Sequence, residues 1–458
     1  MSSLPSTYDS PVYDNSWLDA PRPLSAARRA PVDWWQRVTI FMVVGYFAMG
    51  RSFAYFGIPQ LKLFIGEIVL FTFLLGHPRR SVDKVRRALA HSELLSDYSW
   101  ALAVLLLYGI GEIFRGAYNG DSVLNGIQSF VFNYYPLYFL LGIWMGERDS
   151  RFVEKLIIAN AWVSGIYGLL YIGLLSNAGF EIPGGQGVGV PLFGQPWGSM
   201  VALLGILCLE LDLKRTWFLI LINMGVLLGM QVRAEWLGFV VGTLTYSFLT
   251  RRFDKLMGAV AITGLFLMVG LIADIRLPGA SSRGGAISTR DIVGRAIAPI
   301  NKDLAAELTP HAANNASTFE WRTNWWKAIW EDNHKDAVTA VFGEGYGYPL
   351  VNLVDYLKGR TFIRTPHNMF FFALGYGGWL LVGIFSLLQI FVLRLLIRAW
   401  RVSGNPFGVV MWTSVIVWSL FGDAFETPYG AIPFFVIVGA LAAPAFRFRS
   451  PYANLTGA

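Results

Sequence analysis

Seven stretches of this chain run for most of a bilayer's thickness or more without one Asp, Glu, Lys or Arg. They are Ser122–Gly146, Leu156–Phe180, Ile182–Leu209, Leu256–Ala273, Pro366–Leu393, Val402–Gly422 and Thr427–Phe446. About 20 apolar helical residues cross a hydrocarbon core of ~30 Å. In lipid, only helices and closed barrels satisfy their own backbone hydrogen bonds. Runs of this length and number restrict the chain to a helical, multi-pass membrane protein. Thr216–Val232 and Trp236–Thr250 are slightly short, and Arg233-Ala234-Glu235 joins them as a tight helical hairpin. Tyr98–Gly111 is another short run, while Val38–Gly50 and Ile58–Gly76 are interrupted by Arg51, Lys62 and Glu67. The expected fold is an all-α polytopic membrane protein with about twelve transmembrane helices. The 17 Trp, 34 Phe and 48 Gly agree, since aromatics gather at membrane interfaces and glycine lets helices approach closely.

Lys and Arg give the orientation. With the N-terminus inside, 22 of the 37 fall on inner segments, four on short outer loops (Arg51, Lys62, Arg115 and Arg233) and 11 in one long outer loop. Long loops are exempt from the positive-inside bias, so both termini are expected in the cytoplasm and the loop outside. The net charge of +7 is explained by this placement and gives no reason to expect nucleic acid as a partner. The expected organisation is a disordered tail over 1–36, nine helices over 37–273 and the loop over 274–366. Three helices over 367–446 and a second tail over 447–458 complete it. No short apolar core with a small-residue cleavage site follows the first tail, so no cleaved signal peptide is expected. The single cysteine, Cys208, lies in an apolar run and permits no intramolecular disulfide.

The outer loop carries 11 cations against 10 acids, so its arginines would act by position and not as a polybasic field. Pro278–Arg295 reads as flexible. Phe319–Lys335 has helical spacing with Trp321, Trp325 and Ile329 on one side, the pattern of a helix lying in the interface. His367 follows Pro366 and precedes a long apolar run, which places an imidazole at the outer end of a spanning helix. Imidazole suits proton transfer near neutral pH; the bland alternative is an interfacial histidine capping the loop. His311 and His334 read as solvated, and His77 and His91 lie on the inner side.

Arg233 emerges near the outer boundary, since 17 residues from Thr216 to Val232 rise ~26 Å. Its guanidinium offers a rigid fork for phosphate oxygens, or else pairs with Glu235 or snorkels. Arg322 shares a helical face with Trp326 and Ile329 and reads as a cation held by stacking, or as a solvated face residue. Gly343, Gly345 and Gly347 could bring amides to an anion, but a tight turn is the better reading. Glu67 is placed on the inner half in a structural pairing. Asp423 and Glu426 occupy the last outer turn on the same side as His367, where they could orient an acceptor, though solvated loop residues are the simpler reading. The cluster from Glu331 to Asp336 fits no defined metal site, and no phosphate-binding loop, zinc cluster or Asp-x-Asp occurs. No metal or cofactor is therefore expected, and a transfer would draw its energy from the bond it breaks.

With those residues in view, the chain resembles the O-antigen ligase and polymerase family of bacterial inner-membrane glycosyltransferases. The matching pieces are Arg233-Ala-Glu-Trp-Leu237, Arg322 with Trp325, the Gly343–Gly347 turn, His367-Asn368 and the turn Pro191-Leu-Phe-Gly-Gln-Pro196. Gly378, eleven residues after the histidine, also fits, whereas Leu381 departs from the ligases and leaves the choice between ligase and polymerase open. The resemblance implies a GT-C-like architecture and a metal-independent, inverting transfer. A glycan would move from undecaprenyl diphosphate to a hydroxyl on a lipid or glycan at the periplasmic face. It implies His367, Arg233 and Arg322 as catalytic residues. Arg233, Arg322, Trp326, Gly345, Asn368 and Asp423 would hold the diphosphate or the acceptor. Membrane lipids are the remaining expected partners. The alternative is a lipid-linked glycan flippase or secondary transporter, against which the chain shows no internal repeat relating its halves.

Overall fold

The computed structural model describes residues 33–58, 63–76, 93–183, 189–254, 287–298, 301–308, 310–358 and 365–446, with scattered positions between 257 and 279. The terminal tails (1–32 and 447–458), most of Leu256–Ala273, His77 and His91 lie outside these residues, as does the side chain of His311.

The chain is mostly helical. Its first half gives α1 (Trp34–Met49), α2 (Ile65–Gly76), α3 (Glu93–Tyr118), α4 (Tyr138–Arg148), α5 (Phe152–Gly173), α6 (Trp197–Cys208), α7 (Leu213–Gly229) and α8 (Arg233–Thr250). The expected outer loop supplies α9 (Thr289–Ile297), α10 (Pro310–Asn333) and α11 (Ala337–Phe342). The chain then closes with α12 (Met369–Ser403), α13 (Phe407–Ser419) and α14 (Pro428–Ala442). Three short antiparallel ladders, Gly57–Ile58 with Leu63–Phe64, Glu181–Pro183 with Gly189–Pro191 and Arg276–Leu277 with Ile287–Ser288, qualify the all-α expectation.

Among the described residues, Ser96–Tyr118, Phe152–Gly173 and Met369–Ser403 are long and apolar enough to cross a membrane, the architecture of a helical membrane protein. The apolar helices α2, α6, α13 and α14 are shorter than a full span. Two expected spans end early for visible reasons. Ile182–Leu209 spends its first part on a hairpin of Gly and Pro residues and becomes helical only at Trp197. Ser122–Gly146 breaks into Val123–Ser129, Val131–Tyr134 and a 3-10 turn over Tyr135–Leu137 before α4, because Pro136 removes a backbone donor. The short run Tyr98–Gly111 instead lengthens into the 26 residues of α3, with Glu112 and Arg115 inside it.

Packing gives the bundle two ends. Gly238 and Gly242 of α8 lie against Met200 and Leu204 of α6, so these helices run parallel. Trp197, which opens α6, stacks on Trp418 near the end of α13 at 4.5 Å and donates to the Tyr429 carbonyl of α14 at 3.1 Å. Phe47 of α1 also meets Trp197, and Asn368 before α12 donates to the Leu420 carbonyl at 2.7 Å. One end thus gathers the starts of α6, α8, α12 and α14 with the finishes of α1 and α13. The opposite end pairs Arg148 with Asp33, Lys155 with Asp149 and Arg252 with Glu210. Close approach is built in where Gly142 and Gly439 face the carbonyls of Val436 and Phe139, joining α4 to α14.

Several expectations need correction. Helix α1 begins at Trp34, ahead of the assigned tail boundary. Glu67 lies in the first turn of α2 near Tyr46, toward the first end and not on the inner half. Its carboxylate accepts from the Tyr134 hydroxyl at 2.5 Å and the Phe64 amide at 3.2 Å, which is the expected structural pairing. The stretch read as flexible is ordered from Ile287, because Ser288 and Asp291 form a reciprocal capping box that starts α9. The Trp face of α10 does not lie in lipid. Trp325 is fully buried and donates to the Leu350 carbonyl at 2.8 Å, with Ile329 buried beside it.

Candidate active site

The site is built on the turn 420–427 between α13 and α14. A helix leaves its last carbonyls without internal partners, and here two side chains from elsewhere supply them. Asn368 binds the Leu420 carbonyl, and Arg322 Nη1 donates to the Phe421 carbonyl at 3.0 Å. The carbonyl end of α13 is negative in partial charge, so a guanidinium there is doubly favoured. Arg322 also lies over the Trp321 ring at 5.4 Å. The expected stacking partner Trp326 instead stacks on Phe371 at 5.5 Å and donates to the Pro366 carbonyl at 2.8 Å.

Between these two anchors sits His367. Trp326 holds the residue before it, and Asn368 after it caps α12 by accepting from the Phe370 and Phe371 amides at 2.9 and 3.2 Å. His367 itself adopts φ 53, a left-handed conformation that a residue with a side chain adopts at a penalty. Such strain persists only where neighbours impose it. The ring meets Trp321 edge-on at 6.1 Å, and Nδ1 lies 3.9 Å from Asp423 Oδ2. Burial depresses the imidazole pKa most. Asp423 raises it and Arg322 lowers it, leaving it at about 4, so the ring is a neutral base at neutral pH.

Asp423 Oδ2 also accepts from the Tyr429 hydroxyl, which fixes the carboxylate facing His367. Glu426 is buried, not solvated. It faces the Thr365 hydroxyl and the Asn368 amide without closing a hydrogen bond of good geometry. Burial, then the charge of Asp423, pushes its carboxyl well above the usual range. Sequence spacing offered no sign of this burial. Tyr429 and Trp321 were also missed as site residues, because an aromatic in a Trp-rich helix or an apolar run gives no separate signal.

Arg233 is the first residue of α8 and stands at the same end of the bundle. Burial, then the positive charge of Arg295 on α9, lowers its pKa. Two other expected site residues are committed elsewhere. The Asn368 side chain is used by the cap and by Leu420, so it positions His367. The Gly345 amide donates to the Tyr376 carbonyl at 2.9 Å, while those of Glu344 and Tyr346 go to the carbonyls of Gly375 and Glu112. Arg115 grips the carbonyls of Phe342, Gly343 and Tyr376. This glycine turn is therefore a lock between α3, α11 and α12 and leaves no amide cradle for an anion.

Replacing Asn368 with Ala removes the cap and leaves the Leu420 carbonyl unpaired. The expected loss is about 1–3 kcal/mol, read as a lower midpoint in a thermal melt of the purified protein.

Comparison of the chain with protein-family models and with curated proteins finds no match.

Proposed function

We propose that this protein is a membrane glycosyltransferase of the O-antigen ligase or polymerase type. It would move a glycan from undecaprenyl diphosphate to a hydroxyl acceptor on the periplasmic face of a bacterial inner membrane. In this reading the chain crosses about twelve times, both tails are cytoplasmic and the loop carrying α9 to α11 is periplasmic. The observation that carries it is the neutral His367 ring 3.9 Å from Asp423, edge-on to Trp321, over which the Arg322 guanidinium lies.

The acceptor oxygen attacks the anomeric carbon as the bond from that carbon to the phosphate oxygen breaks. The electron pair of that bond leaves with the lipid diphosphate, whose growing charge needs preorganised cations. Arg322 supplies one, and Arg233 at the same end of the bundle supplies the second. With Nδ1 toward Asp423, His367 Nε2 is left to take the hydroxyl proton, and Asp423 stabilises the imidazolium that forms. A diphosphate leaves without protonation, so no general acid is required.

The pH dependence follows. A base whose pKa lies at about 4 stays unprotonated well below the ordinary histidine range. The acidic limb of kcat/KM should therefore fall near pH 4 and not near 6.5. Asp423 raises that pKa, so Asp423→Asn should move the limb lower still while lowering the rate at neutral pH. A limb near 6.5 in the native protein would mean that burial does not depress the imidazole, and an acidic limb that persisted unchanged in His367→Gln would remove His367 as the base. The deciding assay uses purified protein with lipid diphosphate glycan and acceptor. Product without an ion gradient or nucleotide supports the transferase, and movement of unmodified lipid supports a flippase.

A further inference from the structure

Two polar groups at the His367 end of the bundle have no part in the chemistry above. One is the Gln195 amide, in the turn Pro191–Pro196 that leads into α6. The other is the Arg51 guanidinium, two residues after α1 ends. Gln195 is 8% exposed, and its Oε1 is buried without a hydrogen-bond partner. Such an oxygen lowers stability, and native proteins retain few of them. Gly50 makes room for the amide. Its φ of 49 favours glycine, and a Cβ there would lie 2.7 Å from the amide carbon and 2.8 Å from Oε1. The turn is pinned beside Arg51, because the Phe193 amide donates to Ser52 Oγ at 2.7 Å and that hydroxyl donates to the Pro191 carbonyl at 3.3 Å. Arg51 is exposed and makes no ion pair with a described residue. In the proposed orientation it is one of four cations on short outer loops, so the positive-inside bias does not account for it. Both groups border the Asp423 side of the site through Tyr429. Trp197, two residues after Gln195, donates to the Tyr429 carbonyl at 3.1 Å, the Tyr429 hydroxyl holds Asp423, and the Arg51 charge acts on that tyrosine.

We propose that Gln195 and Arg51 bind the sugar that the donor carries next to its diphosphate. This rests on the transferase reading and supplies what that reading lacks. It names cations for the diphosphate and a base for the acceptor, but nothing that holds the transferred ring. A carboxamide accepts from one ring hydroxyl through Oε1 and donates to another oxygen through Nε2, and a guanidinium donates to neighbouring oxygens. The oxygen is covered in the free protein, so the amide turns about its last bond as the sugar enters, a torsion with broad wells. The pinned turn leaves little else to order on binding. The unpaired oxygen is then a preformed contact, which lowers the stability of the free protein and is satisfied when the sugar is bound.

The test follows the melting midpoint of the purified chain alone, with undecaprenyl diphosphate, and with undecaprenyl diphosphate carrying one hexose. Both lipids should stabilise the native protein, and the glycosylated one should bind roughly tenfold more tightly, the contribution of one or two hydrogen bonds. Gln195→Leu exchanges the amide for an apolar group, so the variant alone should melt no lower than the native chain. It should still bind the bare lipid and lose the preference for the hexose. Arg51→Gln changes an exposed side chain, so it should keep the native midpoint and lose part of the preference, which decides the matter if Gln195→Leu does not fold. A native chain that binds both lipids alike, or folded variants that keep its preference, would overturn the sugar site and leave the transferase reading standing. A native chain that binds neither lipid would overturn both. A Gln195→Leu chain that melts well below the native one would make the amide structural and remove it from the site.

Discussion

Arg322→Ala should lower kcat/KM for the proposed glycan transfer by about a hundredfold to a thousandfold, the effect of removing one preorganised group that stabilises developing charge. The same change leaves the Phe421 carbonyl without its partner, which costs about 1–3 kcal/mol of stability. The two effects separate by measurement. A thermal melt reports the carbonyl, and the rate of the still-folded protein reports the charge. Arg322→Lys sharpens the point, because it keeps the charge but not the fork. A lysine that holds Phe421 has no second arm for a diphosphate, so it should restore stability more than rate. Full transfer by folded Arg322→Ala would end the case for this residue in the chemistry.

Gly378→Ala should leave little folded protein. Gly378 interrupts α12 with φ 59 and ψ −166, a conformation open in practice only to glycine. A Cβ there would also meet the backbone of Val341 at 2.4 Å and of Gly343 at 2.6 Å, and backbone cannot step aside as a side chain can. Strain and overlap together come to about 3–5 kcal/mol, a large share of the 5–15 kcal/mol that holds a typical domain together. Gly383 is the control, since nothing lies within 4 Å of its added Cβ and it sits in regular helix. Gly383→Ala should be neutral or slightly stabilising. The yield and melting point of the two variants, prepared side by side, check the contrast.

What could be read in the sequence was mainly where charge is absent. The runs that became α5, α12 and α14 were found because an apolar stretch leaves a helix little alternative in lipid. Charge misled where it was internally satisfied. Glu112 and Arg115 appeared to end a span, yet they pair with each other and with loop carbonyls inside α3. The capping box at Ser288 and Asp291 was legible in its spacing, inside the stretch Pro278–Arg295 that reads as flexible. At the site, His367 and Arg322 were found because a titratable group beside a membrane helix is conspicuous. Their surroundings were not, since the burial of Glu426 and the Tyr429 bond to Asp423 depend on how α13 and α14 turn. The ring under Arg322 is that of its chain neighbour Trp321 and not that of Trp326, four residues on, which is taken up by Phe371.

One arrangement ties affinity to architecture. The guanidinium that would greet an incoming anion is already engaged with the last turn of α13 through Phe421. A ligand that drew Arg322 toward itself would loosen that turn, and a turn that tightened would withdraw the arginine from the ligand. By thermodynamic reciprocity, whatever steadies the joint between α13 and α14 would alter the hold on such a ligand by the same factor. A ligand held by Arg322 would in turn set how firmly two buried helices meet.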